Sequence, residues 1–198
     1  MSEHLMLPYI PLPDWDPLTA NADEEMVIAA KRREILNILK SYTGYYDLFS
    51  ELIQNALDAV DRRAKDEGPD YKPTIWIKID MLTSAISVTD NGCGMKQEHF
   101  TQFLQPNISF KDGAFTRGNK GVGATYLAYG FNYLEVATKW EGKVYSGVLK
   151  GGREWLEDNT RTVTRPRVTH GLVSHAPFQD VDCGTSVTLK LVFHHKCN

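Results

Sequence analysis

The chain has 198 residues, of which 42% are hydrophobic, 24% charged and 11% aromatic, a composition that excludes disorder and collagen-like repeats and belongs with ordinary globular chains. At this length about 70% of the unfolded surface can be buried on folding, enough for one substantial core and too little for two full-sized domains. The net charge of −3 is unevenly spread: residues 1–110 hold 10 basic against 17 acidic side chains, residues 111–168 hold 10 against 6, and the remainder 2 against 2.

Pro8, Pro11, Pro13 and Pro17 fix local dihedrals and remove amide donors, so residues 1–20 are expected to form an extended arm laid across another part of the molecule. Glu3 and His4 stand where a secretory signal would be basic, and no apolar run approaches the ~18 residues of a membrane span, so the chain reads as cytoplasmic with no membrane association. From Ala22 to about Tyr42 apolar residues recur at helical spacing until Thr43-Gly44 stops them, and a second helix is expected from about Asp47 to Lys65. Residues 66–73 read as a loop. IWIKID at 75–80 and AISVTD at 85–90 then alternate with period two, which predicts an antiparallel pair joined through 81–84.

A short helix is expected at about 96–104, a polar glycine-rich stretch as far as Gly123, a helix at about 122–130, and strands near 132–139, 143–150, 162–168 and 185–193. Helices followed by strands imply a two-layer α+β sandwich over 21–198. Cys93, Cys183 and Cys197 lack the CxxC spacing of a zinc or redox site and read as reduced thiols.

Three segments carry candidate chemistry. On the second helix Glu51, Asn55, Asp58 and Arg62 fall within one arc of roughly 60°, opposite Leu52, Ala56 and Val60; the stripe is either a solvated face or the wall of a polar site. The strand at 85–90 runs into Asp90-Asn91-Gly92-Cys93-Gly94-Met95, where a terminal carboxylate followed by glycines either makes a plain turn or accepts a hydrogen bond from an exocyclic amine. Arg117-Gly118-Asn119-Lys120-Gly121-Val122-Gly123 opens a helix, and backbone N–H groups at such a start attract phosphate. It is not a P-loop, because Lys120 is followed by Gly121; an ordinary glycine turn is the alternative.

Together ELIQNALDAV at 51–60, DNGCGM at 90–95, GNKGVGA at 118–124 and GTSVTLKL at 184–191 resemble, in order and spacing, the four motifs of the GHKL (Bergerat-fold) ATPases. The resemblance implies a Bergerat α/β sandwich with a mixed, mostly antiparallel sheet and an ATP lid at about 105–123. It also implies ATP and Mg²⁺ as ligands. Glu51 would be the general base and Asn55 the magnesium ligand. Asp90 would hold the adenine amine, Gly94, Met95 and Thr185 would surround the base, and Asp58 would support that pocket. Gly121, Val122 and Gly123 would cradle the phosphates, with Lys120 and Arg62 as further phosphate or ribose contacts or plain surface residues.

A glutamate four residues before the asparagine resembles the hydrolase branch, which includes gyrase B, the ninety-kilodalton heat-shock chaperones, MutL and MORC. The implied activity is slow ATP hydrolysis coupled to lid closure and dimerisation. The chain ends seven residues after Leu191, so it reads as the N-terminal ATPase domain of a larger protein or assembly, with a transducer domain or partner supplying a further phosphate contact. A nucleotide-gated interaction module without turnover and a histidine-kinase-like catalytic domain are the alternatives. The basic stretch at 111–168 leans weakly toward nucleic acid as a partner.

Overall fold

Alternating apolar and polar residues at 75–80 and 85–90 give the first two strands of an antiparallel sheet, as their period requires. In the computed structural model, which describes residues 10–14, 25–105, 122–171 and 176–191, the elements run α1 (Glu25–Ser41), α2 (Asp47–Glu67), β1 (Ile75–Asp80), β2 (Ala85–Asp90), α3 (Gln97–Gln102), α4 (Val122–Tyr129), β3 (Tyr133–Trp140), β4 (Lys143–Lys150), α5 (Gly152–Glu157), β5 (Val168–Thr169), α6 (Ala176–Asp180) and β6 (Gly184–Lys190). The sheet order is β1-β2-β6-β3-β4-β5. Ile86, Val88, Leu134, Val136, Tyr145, Leu149 and Leu189 pack from one sheet face against Ile35, Leu52, Ala56 and Leu127 of the helices, which makes the expected two-layer sandwich.

Every described ladder is antiparallel, where a mixed sheet was expected. The topology supplies the reason. β2 and β3, joined through α3 and α4, run in the same direction but do not touch, because β6 inserts between them and pairs antiparallel with both.

The strand expected at 162–168 is also corrected: only Val168–Thr169 pairs, against β4. Upstream, the Asp158 carboxylate accepts bonds from the backbone N–H of Thr160 and Val163, each at 2.8 Å, and Pro166 has no N–H to offer a ladder. Local side-chain bonding and proline win over the β-branched residues there. Helices α5 and α6 had no counterpart in the sequence reading. Of the expected N-terminal arm, residues 10–14 are described and lie outside any helix or strand, with Leu12 buried in the core and the Ile10 N–H donating to Val144 O at 3.4 Å. Among the described residues no helix is long and apolar enough to cross a membrane.

Candidate functional site

Helix α2 is the spine of the site. Leu48, Leu52, Ala56 and Val60 bury one side in the core; Glu51 and Asn55 are half-buried, and Asp58 is only 5% exposed. Arg62, the last member of the predicted stripe, is exposed and lies within electrostatic reach of Cys93 and His99.

At the first turns of α2, Glu51 meets the start of α4. A Cβ added to Gly123 would collide with Glu51 Oε2, so only glycine lets the carboxylate lie against the beginning of that helix. The other oxygen, Oε1, accepts a hydrogen bond from Tyr42 Oη at 2.8 Å. Gly123 is thus brought to Glu51, and Val122 stands beside it as the first residue of α4. Lys120, Gly121 and the expected lid, apart from Gln105, Val122 and Gly123, lie outside the described residues.

Eight residues further along α2, about 12 Å at 1.5 Å per residue, the turn after β2 docks on the helix. Cys93 N–H donates to Ala59 O at 3.3 Å, and Gly92 packs so closely on Ala59 that a side chain there would overlap its backbone. This places Asp90 beside the part of α2 that carries Asp58. Asp90 is 4% exposed, and its Oδ1 accepts from Gly92 N–H at 2.8 Å and Thr185 N–H at 3.3 Å. Among the described residues no hydrogen bond reaches Oδ2, which keeps that oxygen available to an incoming donor. Burial pushes the Asp90 carboxyl up to about 7, against the opposing pull of these two backbone bonds.

Three strands converge here. Asp90 on β2 pairs with Thr185 on β6, which pairs with Thr138 on β3. Thr138 Oγ1 donates to Gly184 O at 3.0 Å, accepts from Met95 N–H at 2.8 Å and lies 3.2 Å from Thr185 Oγ1. Gly94, at φ +61°, sits against the Lys139 carbonyl with no space for a Cβ. Asp90, Gly94, Met95 and Thr185 therefore lie in one cluster, and Thr138, which the sequence did not single out, is at its centre. The clue was a hydroxyl at a core-facing position after Leu134 and Val136 in strand parity.

Arg63, the neighbour of the residue singled out, is the structural arginine. It is 8% exposed, bonds both oxygens of Asp182 at 3.0 and 2.9 Å, and donates to Asn91 O at 2.9 Å and Cys183 O at 3.3 Å. These bonds tie α2 to both loops beside Asp90. The Asp182 bonds hold the guanidinium well above its ordinary value and Asp182 below its own. Nothing in the helical stripe distinguished Arg63, because it points off that arc.

The arrangement offers a buried acceptor for an amine at one end and a carboxylate against a helix start at the other, with the Asn55 amide between them. The donor set fits a nucleotide and a hard cation: among the described residues no cluster of three or more His, Cys, Asp or Glu side chains could hold a metal by itself, whereas magnesium needs only one or two protein oxygens beside phosphate. No match was found among curated protein sequences. A family model described as histidine kinase-, DNA gyrase B- and HSP90-like ATPase matches residues 41–194, a span that takes in both ends of this site and most of the chain, so the chain belongs to that GHKL ATPase family.

Proposed function

We propose that this ATP-binding domain is a magnesium-dependent ATP hydrolase of the gyrase, chaperone, MutL and MORC branch. The observation that supports this reading is the Glu51 carboxylate, lodged against Gly123 at the start of α4 one turn before Asn55. A phosphate held at that helix start lies next to a carboxylate able to orient a water and take its proton. Asn55 Oδ1 is the oxygen that would hold the magnesium ion, whose role when bound is to neutralise phosphate charge. Asp90 accepts the adenine amine, with Gly94, Met95, Thr185 and Asp58 around the base. On this reading the N–H groups of Gly121, Val122 and Gly123 would cradle the phosphates, and Lys120 and Arg62 would be further phosphate or ribose contacts.

Residues 105–123 would close as a lid, and 21–198 would act as the ATPase domain of a larger cytoplasmic assembly. Nucleotide-driven dimerisation and a transducer domain or partner would complete the phosphate site, and the client could include nucleic acid. Phosphate release from Mg-ATP by the wild-type chain and Glu51→Gln tests the reading. Turnover should fall roughly 100-fold or more while ATP affinity by calorimetry stays within about threefold. Undiminished turnover in Glu51→Gln rejects the base, and phosphotransfer to a histidine-bearing protein in place of phosphate release identifies the kinase alternative.

A further inference from the structure

Glu51 is held from outside its own helix. Tyr42, in the link between α1 and α2, donates its hydroxyl to Glu51 Oε1 at 2.8 Å, and its ring stacks on Tyr126 of α4 with centroids 4.0 Å apart and planes 9° from parallel. Tyr126 in turn meets Phe131 edge-on at 5.6 Å. With Oε1 engaged by Tyr42, the oxygen left to face Gly123 and the start of α4 is Oε2. We propose that Tyr42 is a positioning residue for the Glu51 carboxylate: it selects the oxygen presented to the phosphate site and, through the Tyr126 ring, ties that choice to the helix whose first turn borders the phosphates. The proposal rests on the reading of Glu51 as the base.

The geometry has a chemical logic. A carboxylate on a helical glutamate has several rotamers, and only some place an oxygen beside the start of α4. A phenol fixed by stacking supplies a donor at one oxygen with little freedom of its own, which converts a mobile base into an oriented one. Burial, followed by the bond to Glu51, pushes the Tyr42 phenol far above its ordinary value, so it remains a proton donor throughout the working range. Among the described residues, the other titratable groups facing this pair are Asp47 in the first turn of α2, Tyr126 on α4 and, near Tyr126, Arg153 on α5. Arg153 is itself bonded to Glu157 Oε1 at 2.8 Å.

The test is Tyr42→Phe in the 198-residue chain, which keeps the stacked ring and deletes the donor. It is measured well below the melting midpoint, so that both proteins are fully folded. The kcat for Mg-ATP hydrolysis should fall about ten- to a hundredfold, the equivalent of one hydrogen bond to a charged group. KM and calorimetric ATP affinity should stay within about twofold. In a Glu51→Gln background the same change should have no further effect on residual turnover, because Tyr42 acts only through that carboxylate. An unchanged kcat in Tyr42→Phe, with Glu51→Gln inactive, overturns this proposal and leaves the base intact. A parallel loss of ATP affinity and kcat assigns Tyr42 a merely structural role and also overturns it. Full turnover in Glu51→Gln, or no turnover in the wild type, removes the base reading and this one with it.

Discussion

Asp90 is the residue at which burial and chemistry pull in opposite directions. Desolvation favours its neutral form and raises it from 3.8 to about 7, while the N–H groups of Gly92 and Thr185 favour the carboxylate. Its folded value therefore lies above its unfolded value. The stability it contributes is complete below about pH 4 and is lost as the pH rises through 7, so Asp90→Asn should flatten that decline in denaturant midpoint. A donor arriving at Oδ2 favours the ionised form, so binding an adenine amine must release a proton wherever the free carboxyl is partly protonated. Calorimetry at pH 6.5 in buffers of different ionisation enthalpy should detect release of a fraction of a proton on binding adenosine, whose own groups do not titrate near neutrality. Asp90→Asn should release none and bind at least tenfold more weakly, as expected when a charged acceptor is lost. Adenosine binding without proton release in the wild type would place the amine elsewhere.

At the scale of elements, the strands and helices flanking the motifs were legible because each obeys one period over its whole length: α2 follows its apolar stripe, and β1 and β2 follow their alternation. What escaped were pieces held by tertiary bonds. Helix α5 is six residues long, too short to nucleate unaided. It is fixed from outside by Arg32 of α1, whose guanidinium donates to the carbonyls of Trp155 at 2.7 Å, Leu156 at 3.0 Å and Asp158 at 2.6 Å and lies 5.0 Å from the Trp155 ring centroid. Helix α6 is held likewise by Lys139 Nζ, which donates to Gln179 O at 2.9 Å and Val181 O at 2.8 Å. The site divides along the same line. Asp90, Glu51 and Gly123 declare themselves by motif, whereas Tyr42 and Thr138 act through partners nine and more residues away, a relation that no local spacing records. Arg32→Met keeps the apolar stem and strands three carbonyls. It should lower stability by about 1.5–3 kcal/mol, or roughly 5–10 °C in melting temperature, with ATP affinity unchanged because α5 stands apart from Asp90 and Asn55. A melting temperature equal to the wild type would show that water caps α5 equally well.

For the whole molecule, the decisive feature is the late insertion of β6 between β2 and β3. The cluster of Asp90, Thr138 and Thr185, the proposed base end, therefore exists only when three sequence-distant strands have assembled, while the proposed phosphate end depends on α2 meeting α4 in the helical layer. A ligand spanning both ends couples sheet and helices, and its binding energy adds to their joint stability. At a hundred times its dissociation constant such a ligand contributes about 2.7 kcal/mol, which for a chain of this size is roughly 5–10 °C. The two ends can then be separated by choice of ligand. Adenosine should raise the melting temperature without magnesium, and ATP should add a second increment that requires it. Asn55→Ala should abolish the magnesium-dependent increment and spare the adenosine one, whereas Asp90→Asn should diminish both, since anchoring the base precedes presentation of the phosphates to α4. If Asn55→Ala retained the full magnesium response, the cation would be held by groups other than the α2 amide, and the axis running from Asp90 to Glu51 would have to be redrawn from the phosphate end.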